Sequence, residues 1–234
     1  MTFNFWEKTK QKLIDKQFKK QQYSIKKANN NQTFQPCITV SRETGSGGRL
    51  IAALVAKKLK MKLYDKEFVE LIGQSTKKRQ EVVESLDEKN RGMIEGIIES
   101  LSLSDNNKLS ESRYFKHLCQ TILSLAQKNK SVILGRGANF ILPPQYCLNI
   151  RIIAPLKTRI DNTIKYEKKT LKQAKDDIRK IHDQRKEFIK KYFQKNISNA
   201  NYYDLVINTQ FISLEQVISL IVTAFKKRFP KINK

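Results

Sequence analysis

Short runs of β-branched and aliphatic residues alternate along the chain with longer segments in which apolar residues recur at helical spacing. The strand-like runs are 37–41, 62–64, 131–134, 147–154 and 204–208. Between them, apolar positions such as Ile51, Leu54, Val55 and Leu59 repeat at the spacing of one helix face. This alternation predicts an α/β fold, with a parallel sheet of about five strands flanked by helices.

Most of the predicted strands end in a polar or glycine-containing pair. These ends are Ser41-Arg42, Asp65, Gly135-Arg136 and Asn208-Thr209. In a parallel sheet the ligand crevice lies at the carboxyl ends of the strands. We therefore expect these strand ends to line one crevice.

The N-terminal segment, residues 1–36, differs from the domain predicted for residues 37–230. Residues 5–28 carry eight lysines against Glu7 and Asp15 and a partial apolar stripe, which predicts a basic helix. The Asn- and Gln-rich residues that follow, ending at Pro36, indicate a linker. The helix suits an anionic membrane surface, its own domain, or a second subunit in a homodimer, and the stripe does not choose among them.

Composition narrows the class of protein. Of 234 residues, 39% are hydrophobic and 29% are charged, and no apolar run approaches the roughly 20 residues of a membrane span. The lysine-rich start lacks the apolar run of a secretory signal, so we expect a cytoplasmic protein whose three cysteines are free thiols. The cysteine spacing and two histidines predict no protein-held metal site. The net charge of +24 favours anionic partners, nucleotides first, and leaves nucleic acid open.

A glycine-rich segment separates the first predicted strand from the helix that follows. Such a loop turns backbone N–H groups toward phosphate, and the helix adds the positive end of its dipole. The predicted nucleotide-binding residues are Thr44, Gly45, Ser46, Gly47, Gly48 and Arg49. The motif G-x-x-x-x-G-K-[ST] is not met in either possible alignment. In one, Arg42 stands at its first glycine, Gly48 at its lysine and Arg49 at its hydroxyl. In the other, shifted by one residue, these positions hold Glu43, Arg49 and Leu50. We expect Arg49 to supply the missing positive charge.

Several segments in consistent order resemble the cytidylate kinase-like family. They are residues 38–49, 63–67, 132–139, 152–156, 159, 183–185, 188, 191–193 and 203–209. The family belongs among the P-loop nucleoside monophosphate kinases. The resemblance therefore implies phosphoryl transfer from ATP, with Mg²⁺, to a small phosphorylated acceptor such as CMP or dCMP. It also implies a helical insert at about 75–128 and a lid at about 165–190.

The resemblance assigns roles to charged residues, and phosphoryl transfer does need positive donors around its developing charge. The predicted catalytic residues are Arg49, Arg136, Arg179, Asp183 and Arg185. The predicted substrate-binding residues are Arg42, Asp65, Arg136 and Arg159. Asp65 suits equally well the N-cap of the helix after it.

Two departures from the family pattern limit the prediction of a substrate. Cytidylate kinases carry an aspartate after the arginine that corresponds to Arg136, and here that residue is Gly137. Cytosine selectivity is therefore not supported, and the acceptor stays open. The missing lysine and hydroxyl keep an alternative, a nucleotide-binding regulatory or interaction protein without turnover.

Overall fold

Five parallel strands form a single sheet in the order β2-β3-β1-β4-β5. The computed structural model describes residues 34–74, 76–84, 92, 94–99 and 109–230, so the predicted N-terminal helix lies outside the described residues. The strands are β1 (Cys37–Arg42), β2 (Lys62–Tyr64), β3 (Ser131–Leu134), β4 (Cys147–Ile153) and β5 (Leu205–Asn208). The predicted α/β fold with five parallel strands is confirmed.

Helices connect the strands and cover the sheet. They are α1 (Gly48–Lys58), α2 (Lys66–Gln74), α3 (Thr76–Glu84), α4 (Leu109–Lys128), α5 (Ala138–Ile141), α6 (Leu156–Glu167), α7 (Leu171–Phe193) and α8 (Leu214–Arg228). Residues 94–99 are also helical. The range predicted as an insert contains α3 and α4, and the range predicted as a lid contains the end of α6 and most of α7; their roles as insert and lid stay predictions. None of the described helices combines the length and the apolar character that crossing a bilayer requires.

The core has two layers, one on each face of the sheet. On one face, α1 and α8 pack over β1 residues such as Ile38 and Val40. On the other, α2, α4 and 94–99 form a second apolar cluster. Phe34 belongs to this second cluster and is 2% exposed, so the packed domain begins before the predicted boundary at Cys37. Helices on both faces explain why the strands are continuous apolar runs.

The cysteines differ from the sequence-based expectation. Cys37 and Cys147 stand opposite each other where β1 pairs with β4, and they form a disulfide. Cys119 is buried and free. The expectation of three free thiols is therefore wrong for two of them. The partners are 110 residues apart in the chain, and only the strand register brings them together.

Candidate active site

A cavity of about 1190 Å³ opens at the carboxyl ends of the strands. Its walls include the ends of β1 and β3, the glycine loop, and the inward faces of α6 and α7. Three of the four predicted strand ends, Ser41-Arg42, Gly135-Arg136 and Thr209, contribute to it, whereas Asp65 does not. The crevice predicted from the strand ends thus exists, but Asp65, at the end of the second strand, does not line it.

The glycine loop turns through two left-handed residues. Gly45 has φ 80° and Gly47 has φ 79°, a backbone conformation that favours glycine. The Ser46 hydroxyl donates to the carbonyl of Glu43 at 2.8 Å, which keeps the turn tight. Helix α1 begins after Gly47 without a side-chain cap, so no capping side chain accepts from its first backbone N–H groups, an arrangement that suits an anion.

Glu43 fastens the loop to the rest of the sheet. Its backbone N–H donates to Ile152 at 3.0 Å, and its carboxylate accepts from the N–H of Ala154 at 3.2 Å. The same carboxylate pairs with Arg151 at 3.9 Å and with Arg159 at 3.5 Å. These contacts engage the carboxylate fully, so Glu43 positions the loop. Sequence reasoning missed this residue.

Arg159 supports the loop instead of lining the cavity. Its Nε donates to the carbonyl of Ala154 at 3.0 Å. Its own carbonyl oxygen lies 2.3 Å from where a side-chain carbon on Gly45 would begin. Asn162, one turn further along α6, donates from Nδ2 to the carbonyl of Gly45 at 2.9 Å. Loop and helix α6 are therefore in direct backbone contact.

Arg151 could have been recognised from the sequence as a candidate site residue. The apolar alternation of β4 leaves Asn149 and Arg151 on its other face, and both are buried in the structure. Arg151 donates to the hydroxyl of Ser41 at 3.0 Å and lies 5.7 Å from the ring centre of Tyr203. Polar residues at alternate positions of a strand covered on both faces mark a structural or functional site.

Arg49 lies at the mouth of the cavity with its side chain 70% exposed. Its Nη2 contacts Asp65 Oδ2 at 3.1 Å and Glu67 Oε2 at 3.7 Å. Asp65 also accepts the N–H of Phe68 through Oδ1 at 3.0 Å, which makes it the N-cap of α2. Two carboxylates therefore share the charge of the residue predicted to replace the loop lysine.

Arg42 and Arg185 meet inside the cavity. Arg185 donates from Nη1 to the carbonyl of Arg42 at 2.8 Å and to Thr44 Oγ1 at 3.2 Å, so the predicted lid residue contacts the glycine loop. Burial, followed by the nearby charge of Arg185, lowers the pKa of Arg42 to about 9. Burial, followed by the charge of Arg151, lowers the pKa of Arg185 to about 10. Like charges crowded in a partly dry pocket favour an anionic ligand.

Arg179 and Asp183 are not brought to the cavity. Both side chains are exposed on α7, whereas Ile181, Gln184 and Arg185 line the pocket. At about 100° per residue, Asp183 is rotated by about 200° from Arg185 around the helix. The family pattern located the helix correctly, but the helix turns these two residues away.

Arg136 stands in an unusual backbone position. It has φ 54° and is flanked by Gly135 and Gly137, which are also left-handed. Its guanidinium pairs with Glu70 and lies 5.1 Å from the ring centre of Phe188. Its Nε is buried without a hydrogen-bond partner among the described residues. A strained, polar group of this kind at a cavity wall suits ligand binding.

Position 137 is closed to the aspartate of cytidylate kinases. A side-chain carbon on Gly137 would begin 2.3 Å from Cε2 of Phe193, and the residue has φ 66°. We expect Gly137→Asp to lower stability by about 1–3 kcal/mol without creating a preference for cytosine nucleotides. Thermal unfolding and an acceptor comparison check this. Gly92→Asp, where the new carbon meets nothing within 4 Å, is the control. A stable Gly137→Asp variant that selects CMP would contradict the expectation.

The residues present do not fit a protein-held Mg²⁺. No group of three or more His, Cys, Asp or Glu side chains in the described ranges is arranged to hold a metal. Arg49 stands at the hydroxyl position of the motif, and it engages both Asp65 and Glu67. Mg²⁺ therefore stays a prediction.

A glycine loop between a strand and a helix, with arginines around it at the carboxyl edge of a parallel sheet, defines a phosphate-binding α/β protein. The chain belongs to the cytidylate kinase-like family, whose model matches residues 37–210. The family predicted from the sequence is thereby confirmed.

Comparisons with individual proteins show more distant similarity. The cytidylate kinase of Archaeoglobus fulgidus is 25% identical over 198 residues, which cover 84% of this chain and 98% of that protein. The uronate isomerase of Corynebacterium glutamicum is 29% identical over 127 residues, which cover 53% of this chain. The chain spans only 24% of the length of that isomerase. A crystal structure of an uncharacterized protein from Eubacterium ventriosum matches with a TM-score of 0.61 and 20% identity, over 82% of this chain and 99% of that one, which supports the fold.

Proposed function

We propose that this chain is an ATP-dependent phosphotransferase that acts on a small phosphorylated acceptor, with nucleoside monophosphates such as CMP and dCMP as the first candidates. The observation that carries the proposal is the set of arginines around the glycine loop. Arg42 comes from β1, Arg136 follows β3, and Arg185 comes from α7, and all three line one cavity. Phosphoryl transfer needs positioning and charge stabilisation more than covalent chemistry, and this cavity offers both.

The cavity has a donor side and an acceptor side. The loop and the start of α1 suit the polyphosphate of ATP, because both line the cavity and the helix begins there without a side-chain cap. Across from it, Arg136 Nε and Asn139 Nδ2 are buried nitrogens without partners among the described residues. Unpaired buried donors are costly unless a ligand accepts from them, so they suit the phosphate or hydroxyl groups of an acceptor.

Because no side chain fits at position 137, the proposed reaction does not include recognition of cytosine. Family membership supports a kinase, but the group that would accept from the cytosine amino group is absent and Phe193 fills its place. The proposal for the acceptor therefore rests on a phosphate group that Arg136 binds. A direct test has to identify the base or sugar that carries this phosphate.

The proposal is tested by ADP release from the full chain with ATP and a panel of phosphorylated acceptors, including CMP and dCMP. We expect at least one acceptor to raise ADP release well above the rate with ATP alone. Gly47→Val is the matched loss-of-function variant, because a β-branched residue at φ 79° disrupts the loop. Acceptor-independent rates across the panel, unchanged in Gly47→Val, would contradict the proposal.

A second function is favoured by the replaced lysine and hydroxyl. With Gly48 and Arg49 at those positions, a chain that binds ATP for regulation or for a partner interaction would not need turnover. Tight ATP binding without ADP release from any acceptor distinguishes this function from the first.

A further inference from the structure

The side chain of Arg42 runs across the loop where the motif has its lysine. A side-chain carbon on Gly48, the lysine position, would begin 2.5 Å from Cβ and 3.0 Å from Cγ of Arg42. Real side-chain carbons do not approach that closely. The stem of Arg42 therefore fills the space in which a lysine at position 48 would start.

A second glycine makes room for the far end of the same side chain. A side-chain carbon on Gly135 would begin 2.4 Å from Nη1 of Arg42. Gly135 also has φ 84°, so its backbone already favours glycine. Arg42 thus lies in a channel between Gly48 at its stem and Gly135 at its guanidinium, and this channel directs its charge into the cavity.

Among the described residues, no carboxylate lies within ion-pair distance of Arg42 or Arg185. The more distant Glu67 raises the pKa of Arg42 and only partly offsets the lowering caused by burial. By contrast, Arg49, Arg136, Arg151 and Arg159 each pair with at least one carboxylate. Two neighbouring, partly buried cations with no close counter-ion among the described residues are unfavourable until an anion joins them.

We propose that Arg42 is the cation of this phosphate loop, and that it binds the polyphosphate chain of the nucleotide from the first position of the loop in place of the lysine. The inference rests on the proposed function in one respect, that the anion is a nucleotide polyphosphate. The planar guanidinium of Arg42 can donate two parallel hydrogen bonds to phosphate oxygens, a bidentate geometry that a lysine ammonium does not offer. Arg49 is not this cation, because two carboxylates already engage it at the surface.

Titration of inorganic tripolyphosphate into the full chain tests the assignment without any turnover. Arg42→Met removes the charge, and Gly135→Ala keeps the charge but closes the channel. We expect each to weaken binding by at least about tenfold, as for the loss of a charge-assisted hydrogen bond. Arg49→Met tests the competing residue and is expected to weaken binding by less than about threefold. Arg113→Met, an exposed arginine on α4 outside the cavity, controls for net charge.

Thermal unfolding separates this role from a purely structural one. Because Arg42 is a partly buried cation beside Arg185 with no close carboxylate among the described residues, Arg42→Met is expected to raise the Tm of the ligand-free chain by about 2–5 °C. The same variant is expected to lose the rise in Tm that tripolyphosphate gives the unmodified chain. A residue that only held the fold together would lower the Tm instead.

A final pair of variants moves the positive charge from position 42 to position 48. Gly48→Lys alone is expected to lose binding, because the lysine and Arg42 compete for one space. The double variant Arg42→Gly with Gly48→Lys is expected to recover affinity to within about threefold of the unmodified chain. Both follow from the contact at Gly48.

Several outcomes overturn the assignment. They are an unmodified chain that does not bind tripolyphosphate, an Arg42→Met variant that binds it as tightly, and a larger loss in Arg49→Met than in Arg42→Met. The proposed function fails separately. A chain that binds tripolyphosphate through Arg42 but releases no ADP with any acceptor contradicts the phosphotransferase and keeps this inference. Full ADP release by Arg42→Met contradicts this inference and keeps the phosphotransferase.

Discussion

Gly45→Ala is expected to abolish ATP binding and to lower the free energy of unfolding by about 2–5 kcal/mol. The new carbon would begin 2.3 Å from the carbonyl oxygen of Arg159, and the residue has φ 80°. The backbone of α6 cannot retreat easily, because Arg159 is tied to Ala154 and to Glu43. Denaturant unfolding and nucleotide titration measure the two effects.

Gly96→Ala is the matched control for that variant. Gly96 is an exposed helical glycine with nothing within 4 Å of the added carbon, so alanine there is expected to be neutral or stabilising by up to about 1 kcal/mol. If Gly45→Ala resembles Gly96→Ala in stability and still binds ATP, the contact between loop and α6 does not shape the phosphate site.

Arg185→Ala is expected to lower kcat by about 10²–10³-fold with the best acceptor of the panel, while the Kd for ATP changes by only a few-fold. At rest Arg185 is tied to the Arg42 carbonyl and Thr44 Oγ1. We expect the positive charge of Arg185 to be most stabilising in the transition state, where negative charge spreads over the phosphoryl group that is being transferred. Single-turnover rates and equilibrium binding of ATP separate the two quantities.

Lys180→Ala controls for the loss of one positive charge from α7. Lys180 is exposed on the same helix and does not line the cavity, so both kcat and Kd are expected to stay within about twofold. An Arg185→Ala variant with unchanged kcat, or one whose loss lies wholly in ATP binding, would argue for a binding protein in place of a kinase.

The sequence was sufficient to predict the sheet, the loop and most of the crevice. Strand ends are marked by local changes in residue type, and parallel strands bring those ends to one edge, so Ser41-Arg42 and Gly135-Arg136 could be placed together in advance. The glycine loop is likewise visible in the local sequence, and two of its glycines, Gly45 and Gly47, are the residues with left-handed backbone.

The sequence alone could not show which of two neighbouring arginines has its charge available for a phosphate. Arg42 and Arg49 belong to one loop, but only the structure shows that Asp65 and Glu67 reach Arg49 and that glycines flank Arg42. Such partners come from other elements, and loop spacing does not contain them.

The same reason explains the other differences. The rotation of α7 about its axis, which turns Arg179 and Asp183 outward, is set by packing. The pairing of Cys37 with Cys147 is set by strand register. Both depend on contacts between elements that are far apart in the chain.

The channel around Arg42 also restricts how this loop can change through evolution. A chain that first gains lysine at position 48 must place two side chains in the space of one, since a carbon there lies 2.5 Å from Cβ of Arg42. A chain that first loses Arg42 keeps in the loop only Arg49, whose charge Asp65 and Glu67 already share. Every route of single substitutions between this loop and the lysine motif therefore passes through an ancestor that is either crowded at position 48 or left with Arg49 alone. The two loop types should form separate lineages, in which arginine at position 42 and glycine at position 48 are inherited together.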